Sequence, residues 1–267
     1  MATSFTYFFQ AAEFMEDVST QPIDKRPKPW DDTIKTVVIA VLLAVIFRSF
    51  LFEPFHIPSG SMKNNLLVGD YLFVSKYSYG YSRYSFPFGF RFFDGRIGTD
   101  ERPKRGDVIV FRLPRAPRID YIKRVIGLPG DQIQVTNGVL YINGNRVDKR
   151  AIDDFNDDEQ TNNVKPIPRY EETLPEGKVI AVLDEMRHSE ADDTGIFIVP
   201  EKHYFVMGDN RDNSRDSRFD EVGYIPEENI VGKAEIIVFS SNGSARWINP
   251  ISWVTSLRFG RFFQLIH

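Results

Sequence analysis

The chain has 267 residues, 42% hydrophobic and 26% charged, an ordinary composition for a folded protein that excludes wholesale disorder. The formal net charge of −4 gives no case for a nucleic-acid partner, which needs a basic face. The absence of cysteine removes disulfides, thiol nucleophiles and cysteine-rich zinc sites together.

The first strong composition shift is TVVIAVLLAVIF at 36–47, whose apolar character resumes as FLF before Glu53. As a helix, Thr33 to Phe52 would be about 30 Å long, the thickness of a bilayer's hydrocarbon core. Lys35 and Arg48 sit near opposite ends, where long basic side chains reach the headgroups. At the centre each charge would cost about 2.5–3.5 kcal/mol. The run starts too late for a cleaved signal peptide, and no A-x-A site follows it before Glu53. A single transmembrane helix over 33–52 is therefore predicted. Lys25, Arg26 and Lys28 stand before it, so the positive-inside rule keeps a 1–32 tail in the cytoplasm and exports the rest. Residues 1–24 are too short and broken to span, and fit either a surface helix or a mobile segment.

Beyond the span come short β-rich runs divided by Gly, Pro, Asn and Asp: 70–80, 107–113, 120–127, 178–185, 195–200, 203–209 and 233–240. QIQVTNGVLYINGNRV (132–147) reads as a hairpin with a second turn, from Asn137-Gly138 and Asn143-Gly144. The predicted class is mostly β, an antiparallel coiled sheet or barrel. Residues 81–105 read as an aromatic insertion, and the acidic 148–177 as solvated loop. The aromatic and basic segment 246–267 suits a membrane interface or packing on the domain equally well.

For chemistry, EPFHIPSGSMKNN follows the span, with Ser59 and Ser61 flanking Gly60, whose small size lets a substrate backbone approach. A serine nucleophile needs a base. His56 would lie far from Ser61 along an extended chain, and His203 has no recognisable catalytic setting. The histidines also lack the H-x-x-x-H and H-E-x-x-H spacings, so no metal is predicted. Lys123, in DYIKRVIGLPGD, has Ile122, Val125 and Ile126 around it. Desolvation there would bring its pKa from about 10.4 to roughly 7–8 for about 3–4 kcal/mol, freeing the amine as a base. Read alone, Lys123 suits a surface lysine as well. GDNRDNSRDSR (208–218) demands a tight, hydrogen-bonded loop, or a cation site that lacks the EF-hand pattern.

In order along the chain, the anchor, IPSGSM, GDYLFV, RGDVIVF, YIKRVIGLPGD and GDNRDNSRDSR resemble the bacterial type I signal peptidases, serine/lysine endopeptidases of the membrane. The resemblance implies Ser61 as nucleophile and Lys123 as general base. Ser59 and the Ser61 amide would form an oxyanion hole, and the Ser214 hydroxyl would orient the lysine. Asp216 and Arg218 would be a supporting ion pair, with Ile57 and Ile122 lining the pocket for the small residue before the cut. It implies a catalytic β core at 53–133 and 204–245, with a second β subdomain inserted at 134–203. It further implies a monomer in the bacterial inner membrane that needs no cofactor, faces the periplasm, cuts signal peptides from exported preproteins and works beside the export machinery. Many members continue Pro-Thr-Leu two residues after the SGSM methionine, where this chain has Asn64-Asn65-Leu66, so the turn beyond Ser61 is expected to differ in rigidity.

Overall fold

The structure is a computed structural model and describes residues 29–86, 95–156, 166–185, 189–244 and 249–267. The readings made for residues 1–24 and for the centre of FPFGFRFF lie outside these. Two compact units are distinguished, the chain up to Ala44 and the chain from Val45 onward.

Helix α1 runs from Pro29 to Phe50, with proline at its first position, where its missing N–H is not needed. Within it Asp32–Phe50 is long and apolar enough to cross a membrane. Ile34, Val38, Leu42 and Leu43 are all exposed, which suits a helix that is apolar all round. The helix stops two residues before the predicted end, because Phe52 already pairs with Ser75 in a sheet.

The rest is mostly β. Strands β1 (Phe52–His56), β2 (Asp70–Ser75), β3 (Tyr81–Ser82), β4 (Arg96–Ile97), β5 (Val108–Leu113) and β6 (Ala116–Gly127) come first. Strands β7 (Gln132–Thr136), β8 (Val139–Ile142), β9 (Asn145–Arg146), β10 (Asp148–Phe155), β11 (Ile167–Thr173) and β12 (Val179–Leu183) follow. Strands β13 (Phe197–Ile198), β14 (His203–Met207), β15 (Ile225–Pro226) and β16 (Ile230–Ser240) complete the set, before a short helix α2 (Pro250–Thr255).

The main sheet is antiparallel, in the order β1-β2-β16-β5-β6-β14-β15. Register shifts along β16, at Ala234/Ile236 and Ile237/Phe239, bend it. Alternation puts Val108 and Val110 in one apolar cluster with Ile57, Met62 and Ile122, and Ile109 and Phe111 in another with Val125 and Val206. Both faces of β5 are thus covered, which is why VIVFRL reads as an unbroken apolar run.

Between β6 and β14 the chain builds two smaller sheets, β13-β7-β8-β9 and β10-β11-β12. Asn137 and Gly138 both take positive φ, as do Asn143 and Gly144, so both predicted tight turns form. The solvated-loop reading of 148–177 is corrected: β10 and β11 pair along that stretch, with Arg150 opposite Glu171. Acidic residues there occupy the outward positions of true strands, while Glu172 is fully buried. The C-terminal segment packs on β16 through Ile237 N–H to Gln264 O, Phe263 N–H to Ile237 O and Ile266 N–H to Glu235 O. It leaves Trp253, Phe259 and Phe263 exposed.

Candidate active site

Ser61 lies on the connection between β1 and β2, and apolar burial fixes its place. Ile57 and Met62 are both fully buried and flank it in the chain. Ile57 N–H donates to Asp70 O, and Gly69 N–H to Ile57 O, at 2.9 and 3.0 Å. Between these anchors Ser59 is extended (φ −129°, ψ 155°), and Gly60–Met62 form a single 3-10 turn that presents Ser61.

Lys123 comes from β6. Strand β14 pairs with β6 at Arg124, Val125 and Gly127, and the stretch Ile119–Lys123 lines a groove of about 790 Å³. Ser59, Ser61 and Ser214 line the same groove, with Phe55, His56 and Phe219. The Lys123 amine is hydrogen-bonded to Ser61 Oγ at 2.7 Å and donates to Ile122 O at 2.9 Å. Ser59 Oγ stands 3.4 Å from Ser61 Oγ. Lys123 is 3% exposed, and burial lowers its pKa from the ordinary 10.5 to about 8, against the opposing pull of Asp216 and Asp209. A lysine of that pKa has an appreciable neutral fraction near neutrality, and it touches a hydroxyl. Such a pair can pass a proton from oxygen to nitrogen as the oxygen attacks a carbonyl.

The loop 208–218 packs against both residues. Asp216 is fully buried and receives Arg218 Nε at 2.9 Å and Gly208 N–H at 3.0 Å. Burial works to raise its pKa, but the Arg218 charge and these hydrogen bonds hold it below the ordinary value. Ser214 is buried in the groove wall, yet its Oγ makes no hydrogen bond to the lysine among the described residues. Ile122 lines the groove, whereas Ile57 is absorbed into the core beside Met62 and Leu66. His56 meets Tyr71 in a tilted ring contact with centroids 4.7 Å apart, and His203 Nδ1 contacts Glu201 O.

Three further residues carry the site without having stood out in the sequence. Asn210 N–H donates to Ser61 O at 3.1 Å, and its Nδ2 to Gly60 O at 3.3 Å, which ties the loop to the serine turn. Gly208 admits no side chain, since a Cβ would lie 2.2 Å from Ser214 Oγ and 2.5 Å from Ser61 O. Arg124, next to the lysine, clamps Asp209 at 2.7 and 2.8 Å. It also donates to Gly106 O and His267 O. In a run of turn formers a glycine and an asparagine look alike to the eye, and an arginine on a strand looks like surface. The only available signal was the density of GDNRDNSRDSR itself.

Among the described residues, Asp184, Asp192 and Asp212 bring carboxylate oxygens within 4.8 Å of one another, close enough to share an ion. The Lys149 ammonium already pairs with Asp184, and Ser189 donates from both N–H and Oγ to Asp192. Asp184 and Asp192 are thus already engaged by the protein's own groups.

Residues 30–239 match the model of the family described as signal peptidase, peptidase S26. The chain is 39% identical to signal peptidase I of Rickettsia typhi (strain ATCC VR-144 / Wilmington), over 85% of this chain and 90% of that one. It is 38% identical to signal peptidase I of Rickettsia canadensis (strain McKiel), over 87% and 92%. A crystal structure of a signal peptidase I from Enterococcus faecalis V583 is 28% identical, covering 51% of this chain and 98% of that one, with a TM-score of 0.29 that is too low to bear on the fold. A buried serine and lysine in contact, on a β framework that follows an apolar helix in the chain, are thus found in a chain that belongs to the signal peptidase family, peptidase S26.

Proposed function

We propose that this protein is a membrane-anchored endopeptidase that removes signal peptides from exported preproteins, with Ser61 as nucleophile and Lys123 as general base. The observation that carries the assignment is the 2.7 Å contact between a buried lysine amine and the serine hydroxyl. In the reaction the neutral Lys123 amine takes the Ser61 proton while Oγ bonds to the scissile carbonyl carbon. Ser59 Oγ–H and the Ser61 amide stabilise the tetrahedral oxyanion, and such a donor is worth about 10²–10³ in rate. As the C–N bond breaks, the Lys123 ammonium returns its proton to the leaving amine, which is the new N-terminus of the mature protein. The acyl-enzyme remains. Water, deprotonated by the same lysine, then attacks the ester carbonyl; the C–Oγ bond breaks, the lysine returns the proton to Ser61 Oγ, and the signal peptide leaves with a new carboxylate.

The groove suits an extended peptide, because Ile119–Ile122 line it on the part of β6 that precedes the pairing with β14. Ile122 and the serines Ser59, Ser61 and Ser214 in its lining favour the small side chains of an A-x-A sequence before the cut. In this reading α1 is the anchor, with the tail cytoplasmic and the β portion on the periplasmic side of a bacterial inner membrane. The partners are preproteins, the bilayer and the export machinery. Detergent-solubilised protein should cut a preprotein after A-x-A, and Ser61→Ala and Lys123→Met should each abolish cutting. Full activity in Lys123→Met would rule out the lysine as base.

A further inference from the structure

We infer that the inserted sheet β10-β11-β12 is part of the catalytic frame, and that Glu172 and Arg211 are positioning residues for the serine and lysine. This rests on the assignment of Ser61 and Lys123 given above. The sheet touches the serine turn directly and reaches the lysine through loop 208–218, by backbone as well as side chains.

On the serine side, Ala181 O on β12 accepts the side-chain amides of Asn64 and Asn65, at 3.2 and 3.1 Å. These are the third and fourth residues beyond Ser61. Asn65 Nδ2 also reaches Asp209 Oδ2 at 2.6 Å, so one amide joins the serine turn, the inserted sheet and loop 208–218. Arg169 on β11 donates to Asn64 Oδ1.

On the lysine side, the end of β12 extends into the loop as a further stretch of pairing. Leu183 N–H donates to Asp209 O at 2.8 Å, and Arg211 N–H to Leu183 O at 2.9 Å, with Leu183 bridged in parallel to Asn210. Asn210 is therefore held between β12 on one side and the Ser61 and Gly60 carbonyls on the other.

A buried ion pair closes this seam. Glu172 on β11 takes both ends of the Arg211 guanidinium, Nη1 to Oε1 at 2.9 Å and Nη2 to Oε2 at 2.5 Å, with both residues buried. Arg211 O in turn accepts Arg218 Nη2 at 2.6 Å, and Arg218 holds Asp216, the carboxylate with the largest influence on Lys123. A run of direct contacts thus leads from the inserted sheet to the charge beside the base. A sheet that merely covered the domain would have no use for a bidentate buried pair aimed at this loop. Such a pair fixes geometry more than it adds stability, because an apolar replacement of similar volume is often neutral or stabilising.

That property supplies the test. The double variant Glu172→Met/Arg211→Met fills the same space without the directional contacts, and Glu172→Asp keeps the charge but withdraws the carboxylate by one methylene. Each is assayed with full-length protein on a preprotein substrate, alongside wild type and Ser61→Ala, with thermal midpoints measured in parallel. The double variant should keep a wild-type midpoint and KM within about twofold while kcat falls at least about tenfold, as small displacements of reacting groups do. Glu172→Asp should lose kcat in the same manner but less. Wild-type kcat in either folded variant would overturn the inference. Residual cutting by Ser61→Ala would instead overturn the nucleophile assignment, whatever the Glu172 variants do.

Discussion

Gly208 and Ser214 meet so closely that a methyl group on Gly208 would stand 2.2 Å from Ser214 Oγ and 2.5 Å from the carbonyl oxygen of Ser61. Turning the hydroxyl would not relieve the first contact, because Ser214 Cβ would stand 2.5 Å away as well. The second is backbone, and it belongs to Ser61. Gly208→Ala should therefore displace the serine turn or the loop that flanks Lys123. The expected result is a fall in kcat of about 10²-fold, the scale on which a misplacement near 1 Å acts, with overpacking destabilising by about 1–3 kcal/mol. A variant with wild-type kcat would show that the serine turn is not held this way.

The depressed pKa of Lys123 makes a prediction with two opposite readouts. As the proposed base the lysine would work deprotonated, so kcat/KM should rise with pH through about 8 and level off above it. For stability the sign follows from proton counts. Between about 8 and 10.5 the unfolded chain holds a proton that the folded chain has lost, so stability climbs with pH across that window. At pH 7 the buried ammonium costs up to about 3 kcal/mol, and Lys123→Met should be more stable than wild type while inactive. Denaturant melts at pH 7 and pH 10 check this, since the gap between the two proteins must narrow at the higher pH.

Asp216 carries a charge that serves two neighbours. Asp216→Asn leaves Arg218 buried and uncompensated, a loss of about 3–5 kcal/mol. It also removes the negative charge that most opposes the depression of the lysine's pKa, so the pH midpoint of kcat/KM should move to lower pH. Movement to higher pH in the variant would contradict this electrostatic account.

Asn64 sits at φ 84°, in the left-handed region, where proline cannot go. The turn after Ser61 thus differs in conformation from one with proline at that position. Asn64→Pro should lose at least about 3 kcal/mol and most activity, while Asn64→Gly, which accepts this φ freely, should stay within about 1 kcal/mol of wild type. Thermal melts of the two variants give the comparison directly.

What the sequence disclosed follows from the range of the interactions involved. Asn137-Gly138 and Asn143-Gly144 are turns whose chemistry is complete within two residues, and both form as read. The apolar helix and the strands VIVFRL and HYFVM carry their own periodicity or propensity. By contrast β10 and β11 resemble loop in sequence because their outward residues are acidic, and only a partner strand and Arg211 reveal where Glu172 goes. The contact of Ser61 with Lys123 spans 62 positions, and only resemblance to a family brought the two together beforehand. Asn210, Gly208 and Arg124 gave no such hint. Their roles consist of contacts with distant backbone, which no local pattern records.

The apolar cluster that joins the inserted strands to the main sheet bears on how the molecule fails. Ile126, Phe205 and Met207 of the main sheet lie in one group with Ile133, Leu140, Ile180 and Val182 of the smaller sheets. Neither set can lose its partner without exposing oily surface. The β portion is therefore not a modular assembly of catalytic part and accessory. It should melt in one cooperative step, and a cellular protease would meet it either whole or wholly undone.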